Sequence, residues 1–281
     1  MQKDKDIISQ WSESAPYWEK YREIIRGMFV PVTKALIESA GIGNGDAVLD
    51  IATGPGEPAL SVADVVGLEG RVVGTDAVAE MVEAAGRESS RRNLRNASFE
   101  VALAEKLPYA DNRFDAVVCR FGVMFFPSPV DAVREVLRVL KPGGRLALAV
   151  WHYGERNPFH SVIAEVVERY VETPPTAGPP DMFRFAAPGE LLGIVASAGA
   201  TAASERLLQF SIRAKSSVED FWTLRSEMSD KLRTKLACLS PVQLAELKRE
   251  VIEAIRAYSF GDEIRFPAEV LIVSGAKEAS K

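Results

Sequence analysis

The chain has 281 residues, of which 47% are hydrophobic and 26% are charged, as in an ordinary globular protein with one large α/β domain. Its formal net charge of −5 and its two cysteines argue against a nucleic-acid partner, a disulfide framework and a metal site. The polar start MQKDKDIISQ and the lack of a long apolar run predict a cytoplasmic protein that does not insert into membranes.

The first predicted elements are helices that precede the sheet. Residues 5–40 have a helical pattern and carry four aromatic side chains, Trp11, Tyr17, Trp18 and Tyr21. Of these, Tyr17, Trp18 and Tyr21 suit closure over a pocket about as well as ordinary packing of an amphipathic helix. Tyr17 and Tyr21 are therefore candidate substrate contacts.

Residues 46–151 alternate between strands and helices. Five short apolar runs predict strands, namely DAVLDI, RVVGTD, ASFEVAL, FDAVVCRF and RLALAVW. Helices are predicted to begin at Pro58, near residue 79 and at Ser128-Pro129. Unbroken apolar strands separated by helices indicate a parallel sheet that is covered on both faces.

The remainder of the chain is predicted to add a cap and a last strand. Residues 173–190 are crowded with proline and predict a loop or lid. The elements expected after this segment are a helix from Pro188, an extended stretch near 204–213, helices opened by the capping patterns Ser217-x-x-Asp220 and Ser240-x-x-Gln243, and a strand at 268–276.

We expect one domain over residues 1–281. Residues 46–151 would form its cofactor-binding core, and residues 1–40 and about 152–260 would form a helical cap over the sheet. The helices between 217 and 260 suit a homodimer surface as well as a roof over the site, and spacing does not decide between the two.

A glycine loop lies between the first strand and the first helix of the core. It reads Asp50-Ile-Ala-Thr53-Gly54-Pro55-Gly56, and Asp76 follows at the end of the second strand. In an open α/β sheet the carboxyl ends of the strands form the ligand crevice, and an acid at Asp76 can accept hydrogen bonds from ribose hydroxyls. The alternative is a tight turn without a ligand.

The charges beside this loop favour a cationic ligand over a phosphate. Asp50 precedes the loop, Glu57 follows it, and no lysine or arginine occurs between Asp46 and Glu69. Two carboxylates repel a pyrophosphate and suit an ammonium or a sulfonium. Glu57 is equally well explained by the dipole of the following helix. The spacing Gly54-x-Gly56-x-x-Ala59 also matches a dinucleotide fingerprint, so an NAD(P)-dependent oxidoreductase is the first alternative.

Four blocks in order resemble the class I S-adenosylmethionine-dependent methyltransferases of type 11, especially the group that includes ubiquinone and menaquinone biosynthesis methyltransferases. The blocks are DIATGPG, GTDAVAEMVEAA, ALAEKLPY, and the pair FDAVVCRFGVMFF and RVLKPGGRLALAVW. The resemblance implies a Rossmann-like, seven-stranded, mostly parallel sheet with an antiparallel last strand, and S-adenosylmethionine as cofactor. The helical stretch at 217–260 departs from a minimal member of the family and leaves the substrate open.

The resemblance also implies which residues hold the cofactor. The methionine part would lie against the first block and the end of the fourth strand, the ribose against Asp76, and the adenine between the second and third blocks. The residues carried over are Asp50, Thr53, Gly54, Pro55, Gly56, Asp76, Ala77, Met81, Ala104, Glu105, Arg120 and Phe121.

The acceptor is predicted to be a small apolar or aromatic molecule. The fourth strand continues into Arg120–Phe126 and lacks the Asn-Pro-Pro-Tyr sequence that grips amino groups of bases, which argues against methylation of nucleic acid. Phe125 is a candidate substrate contact beside this strand.

His152 follows the fifth strand, so we expect it at the same edge of the sheet as the methyl group. Because a histidine can take a proton near neutral pH, His152 is a candidate general base and substrate contact. The alternative is a histidine that is bonded to loop backbone. A further alternative, from another class, is a non-catalytic protein that binds the cofactor.

Overall fold

The computed structural model describes residues 2–171 and 181–279 of the chain. The helices within these residues are α1 (Gln2–Lys20), α2 (Arg22–Ala40), α3 (Ala59–Val66), α4 (Ala79–Arg91), α5 (Pro129–Val139), α6 (Pro158–Val167), α7 (Glu190–Ser197), α8 (Val218–Met228), α9 (Asp230–Ala237) and α10 (Pro241–Arg256). The strands are β1 (Ala47–Ile51), β2 (Arg71–Asp76), β3 (Ala97–Val101), β4 (Phe114–Arg120), β5 (Leu140–Trp151), β6 (Thr201–Lys215), β7 (Ser259–Phe260) and β8 (Glu263–Ala276).

These strands form one sheet in the order β3-β2-β1-β4-β5-β8-β6, and β7 pairs with β8. The first five strands are mutually parallel, whereas β8 runs antiparallel to both β5 and β6. This confirms the predicted Rossmann-like sheet with its antiparallel last strand. The two-residue β7 was not predicted, because it forms only a short hairpin with Glu263 and Ile264.

The last strand is longer than the predicted segment 268–276. It begins at Glu263, because its first residues pair with the outer half of β6, where Lys215 lies opposite Glu263. The predicted extended stretch near 204–213 is the central part of β6.

The centre of the sheet is formed by strands that are buried from end to end. All five residues of β1 are buried, as the unbroken apolar pattern predicts for a central parallel strand, and Asp50 is its one charged member. A continuous apolar core extends from Leu49 in β1 to Phe221 in α8 and Leu247 in α10. The helices between β6 and β8 therefore share a core with the sheet.

The cap is built from both ends of the chain. Helix α2 packs on β4, β5, β6 and β8, and α1 contacts α4, α8 and α9. The two capping boxes predicted at Ser217 and Ser240 are helix starts, where each serine Oγ accepts from a backbone amide of the first turn. Residues 173–180 of the predicted lid lie outside the described residues. No described helix has the length and apolar character needed to cross a membrane.

Candidate functional site

A cavity of about 370 Å³ lies at the carboxyl ends of β1, β2, β4 and β5, beneath α1, α2 and α8. Its lining includes Gly54 after β1, Asp76 at the end of β2, Arg120 at the end of β4 and Trp151 at the end of β5. Parallel strands place their carboxyl ends on one edge of the sheet, so residues far apart in sequence meet here. The volume suits a small-molecule ligand.

The carboxylate of Asp50 shapes the glycine loop from behind. Its Oδ2 accepts from Thr53 Oγ1 at 2.7 Å and from the Ala59 amide at 3.0 Å, which ties the loop to the start of α3. Its Oδ1 is buried and has no hydrogen-bond partner among the described residues. Burial raises the pKa of Asp50 to about 7, against the lowering effect of the Thr53 hydrogen bond. Asp50 therefore positions the loop and does not line the cavity.

Asp76 holds the cavity side of the same loop. Its Oδ2 accepts from the Gly54 amide at 2.9 Å and its Oδ1 accepts from the Val78 amide at 3.0 Å. Burial raises the pKa of Asp76, and the amides of Gly54 and Val78 oppose that shift. Gly54 has a φ of +55°, a conformation that glycine adopts at low cost. The loop therefore presents a backbone surface toward the cavity. Its Gly54 amide is already bonded to the carboxylate of Asp76.

Two guanidinium groups reach the loop from elsewhere in the fold. Arg120 donates to Thr33 Oγ1 at 3.0 Å and to the Glu57 carbonyl at 3.2 Å, and burial lowers its pKa. Arg92 lies 3.3 Å from the Glu57 carboxylate. The charge balance drawn from the loop residues alone is therefore incomplete, because distant arginines neutralise part of the negative charge. Glu57 is paired with Arg92 and accepts from Ser61, so its carboxylate is not free for a ligand.

The end of the cavity near β2 and β3 is apolar with one polar edge. Met81 is buried against Val78 and Ala15, and the buried residues Met81 and Ala104 both line the cavity. Glu105 accepts from the Ser128 amide at 3.2 Å. Met81, Ala104 and Glu105 thus share one end of the cavity, the arrangement expected for a flat heterocycle next to a hydrogen-bonding edge.

An aromatic wall runs from the loop toward the other end of the cavity. Phe121, which has a φ of +63°, stacks on Trp151 with ring centroids 4.4 Å apart and planes within 1° of parallel. Phe29 packs edge-on against both rings. Trp151 in turn meets the ring of His160 at 4.6 Å. A flat, apolar molecule would find its walls here.

His160 and Arg225 close the far end of this wall. Arg225 lies over the face of Phe159 at 4.1 Å, and its Nη2 is 3.3 Å from His160 Nδ1. Burial and then the nearby Arg225 charge lower the pKa of His160 well below its usual value, so the ring is neutral at physiological pH. An arginine only donates hydrogen bonds, so Nδ1 accepts and the ring proton resides on Nε2.

His152 is placed away from the cavity. It is not among the lining residues, and its Nδ1 accepts from the Tyr153 amide at 2.7 Å. Successive side chains of a strand point to opposite faces, so the presence of Trp151 in the cavity directs its neighbour elsewhere. The hypothesis that His152 is a general base or substrate contact therefore has no geometric support, and the histidine of the cavity is His160.

The cap contributes tryptophans rather than the two predicted tyrosines. Trp11 and Trp18 line the cavity, and Trp11 packs edge-on against Phe125 at 5.3 Å. Tyr21 instead donates to Glu227 at 2.6 Å, and Tyr17 lies under the Arg233 guanidinium. Tyr17 and Tyr21 thus fasten α1 to α8 and α9 and do not face the cavity.

Most of the predicted cofactor residues meet in one place. The predicted residues that line the cavity are Thr53, Gly54, Pro55, Asp76, Ala77, Met81, Ala104, Glu105, Arg120, Phe121 and Phe125. Asp50 and Gly56 lie behind the loop instead, and their contact with a cofactor stays a prediction. The sequence reasoning missed the contributions of Trp11, His160 and Arg225.

Comparison with known proteins identifies relatives of the core. Residues 49–148 match the family model of a methyltransferase domain. The ubiquinone/menaquinone biosynthesis C-methyltransferase UbiE of Pseudomonas fluorescens (strain SBW25) is 33% identical over 172 residues, which make up 60% of this chain and 65% of that protein. The chain thus matches slightly less than two thirds of the length of this curated relative.

Solved structures share the architecture. The YcgJ protein from Bacillus subtilis has a TM-score of 0.57 at 23% identity, covering 88% of this chain and 98% of that chain. A SAM dependent methyltransferase from Aquifex aeolicus has a TM-score of 0.50 at 24% identity, covering 65% of this chain and 85% of that chain. At these identities the likeness concerns the fold.

Proposed function

We propose, starting from the match of residues 49–148 to the family model of a methyltransferase domain, that this protein transfers a methyl group from S-adenosylmethionine to a small organic acceptor. The observation that carries the proposal is the occupancy of the loop amides. The amide of Gly54 donates to Asp76, and the amide of Ala59 at the start of α3 donates to Asp50. A dinucleotide needs such amides free for its pyrophosphate, and the two carboxylates would repel it.

The residues present fit S-adenosylmethionine. The open space at Gly54 accepts the methionine part, and Asp76 retains lone pairs for ribose hydroxyls beyond its two amide bonds. Met81 and Ala104 offer apolar faces for the adenine. Arg120 is a buried cation at the same edge and suits the carboxylate of the methionine part. Bound in this way, the cofactor would supply an activated methyl group.

The contribution of the chain is to orient the acceptor and to exclude water. Phe121, Trp151 and Phe29 form a rigid apolar wall between the cofactor loop and the far end of the cavity. Alignment of two reactants contributes roughly 7–11 kcal/mol in favourable cases. His160 Nδ1 is engaged with Arg225, so its neutral ring orients that guanidinium and does not take a proton from the acceptor.

The acceptor is a small molecule with apolar or aromatic surface, in keeping with this wall. The cytoplasmic location of the chain and the formation of a homodimer both stay predictions from the sequence.

Calorimetry separates the proposal from its first alternative. We expect S-adenosylhomocysteine to bind with micromolar affinity and NAD⁺ and NADP⁺ not to bind, because Asp76 and Asp50 already occupy the Gly54 and Ala59 amides that a pyrophosphate would need. Binding of a nicotinamide dinucleotide alone would reject the proposal. A labelled-methyl assay across small aromatic and aliphatic acceptors addresses the non-catalytic alternative, which tight cofactor binding without any transfer would favour.

The two histidines provide a matched pair of variants. With an acceptor that this assay identifies, His160→Gln should lower kcat/KM by about tenfold or more, because His160 lines the cavity and holds Arg225. His152→Gln should leave kcat/KM unchanged, since its ring is bonded to loop backbone. Steady-state kinetics of both variants checks this, and a loss confined to His152→Gln would restore His152 as the functional histidine.

A further inference from the structure

Several of the charged side chains that line the cavity form ion pairs, whereas the cations Arg120, Arg225 and Lys231 form none with the described residues. Arg22 lies 2.9 Å from Glu88, Arg26 lies 3.0 Å from Glu23, and Asp230 lies 3.2 Å from Arg233. Pairing of this kind removes the electrostatic reason for a ligand of either sign to bind near them. The charges that remain unpaired are therefore the informative ones.

Arg225 is the buried cation of this kind at the acceptor end, whereas Lys231 is exposed. It forms no ion pair with any acidic side chain of the described residues, although it lies in the interior between Phe159 and His160. Burial lowers its pKa to about 10, so it still carries its charge at physiological pH. A buried cation without a counter-ion is costly, and proteins retain one where a ligand supplies the opposite charge.

The guanidinium has a free edge. Its Nε is buried and unpartnered, and one hydrogen of Nη2 goes to His160 Nδ1. Its Nη1 makes no hydrogen bond to any residue in the described part of the chain, so Nη1 and the second hydrogen of Nη2 form an open fork. Such a fork matches the two oxygens of one carboxylate better than it matches a single oxygen.

The fork lies at the end of the aromatic wall. Trp151 stacks on Phe121 with ring centroids 4.4 Å apart, and the ring of His160 lies 4.6 Å from that of Trp151. These three rings form a continuous aromatic path toward Arg225. A flat aromatic acceptor can pack along this path while an anionic group at its far end contacts Arg225.

We propose that the methyl acceptor is an aromatic or apolar carboxylate whose carboxylate group is anchored by Arg225, with His160 as the residue that positions the guanidinium. This rests on the proposed function, because it places the carboxylate at the acceptor end of the same cavity. It also narrows the acceptor from an apolar molecule to an amphipathic anion.

Matched acids and amides test this without knowledge of the natural acceptor. Benzoate, naphthoate and their primary amides are titrated into the protein saturated with S-adenosylhomocysteine. We expect naphthoate to bind at least about tenfold more tightly than naphthamide, which cannot supply the negative charge. Arg225→Gln should weaken naphthoate binding by about tenfold or more and leave naphthamide binding unchanged. The naphthoate affinity of Arg225→Lys should lie between those of the wild type and Arg225→Gln.

Lys231→Gln is the matched control, because Lys231 lines the same cavity, carries the same charge and is exposed. It should leave naphthoate affinity unchanged. Thermal unfolding and S-adenosylhomocysteine affinity of each variant show whether the fold and the cofactor end are intact. Equal affinity for acid and amide, an equal loss of both in Arg225→Gln, or no binding of either acid overturns the assignment. Failure of S-adenosylhomocysteine to bind the wild type instead refutes the proposed function, and the acids are then titrated alone.

Discussion

Replacing Gly54 with alanine is expected to weaken binding of S-adenosylhomocysteine by more than about tenfold while changing the free energy of unfolding by only about 1 kcal/mol. Gly54 has a φ of +55°, and a methyl group built on it meets no protein atom within 4 Å. The empty space is the cavity itself, so the added methyl occupies volume that the proposed cofactor needs. Calorimetry and chemical denaturation measure the two quantities.

Gly56→Ala is the matched variant in the same loop and should behave in the opposite way. Its φ is +111°, and an added methyl would lie 2.6 Å from Leu60 Cδ1 and 3.3 Å from Ala85 Cβ. Overpacking of this kind costs about 1–3 kcal/mol, in addition to the backbone strain. Gly56 does not line the cavity, so the loss should appear first in the free energy of unfolding. If both variants lost only stability, Gly54 would be a structural glycine.

The strands of the parallel core were predictable because their signals are local. Each strand from β1 to β5 is a short apolar run, and the turn after β1 carries glycines where positive φ values are needed. The antiparallel β8 came from the family resemblance. The two-residue β7 has no signal of its own, since it exists only where the chain folds back onto β8.

Two of the predicted contacts lie outside the cavity because of the direction of their side chains. His152 directly follows Trp151, the last residue of β5, and neighbouring side chains of an extended chain point to opposite faces. On α1 the lining residues Trp11 and Trp18 are seven positions apart, the spacing of one helix face, whereas Tyr17 belongs to the neighbouring face and Tyr21 lies between α1 and α2. The helical spacing therefore groups the two tryptophans as residues of one face and separates them from the tyrosines.

Arg225 and Arg92 were unpredictable for a different reason. Arg225 is 65 residues from His160, and Arg92 is 35 residues from Glu57, so neither pairing leaves a local pattern. The family resemblance does not help with Arg225, because α8 belongs to the helical stretch in which this chain departs from a minimal member. The residues at the acceptor end of the cavity could therefore be identified only from the tertiary structure.

Asp50→Asn is expected to change the pH dependence of stability. The pKa of Asp50 is raised from 3.8 to about 7 because the carboxylate is buried. The folded state thus favours the protonated form, and its advantage is present below pH 3.8 and is lost as the pH rises through about 7. At about 1.4 kcal/mol per unit, the wild type should lose on the order of 4 kcal/mol relative to the variant across this window.

The comparison is made as a difference between two denaturation curves at each pH, so that every group common to both proteins cancels. An asparagine side chain that pairs imperfectly with Thr53 and Ala59 adds only a constant offset. Asp115→Asn is the control: burial raises the pKa of Asp115, but Lys141 and the Ala47 amide lower it further, below 3.8. Its difference should be flat between about pH 5 and 8. A flat difference for Asp50→Asn as well would mean that Asp50 stays ionised in the folded protein, held by charges that the loop and Arg120 provide.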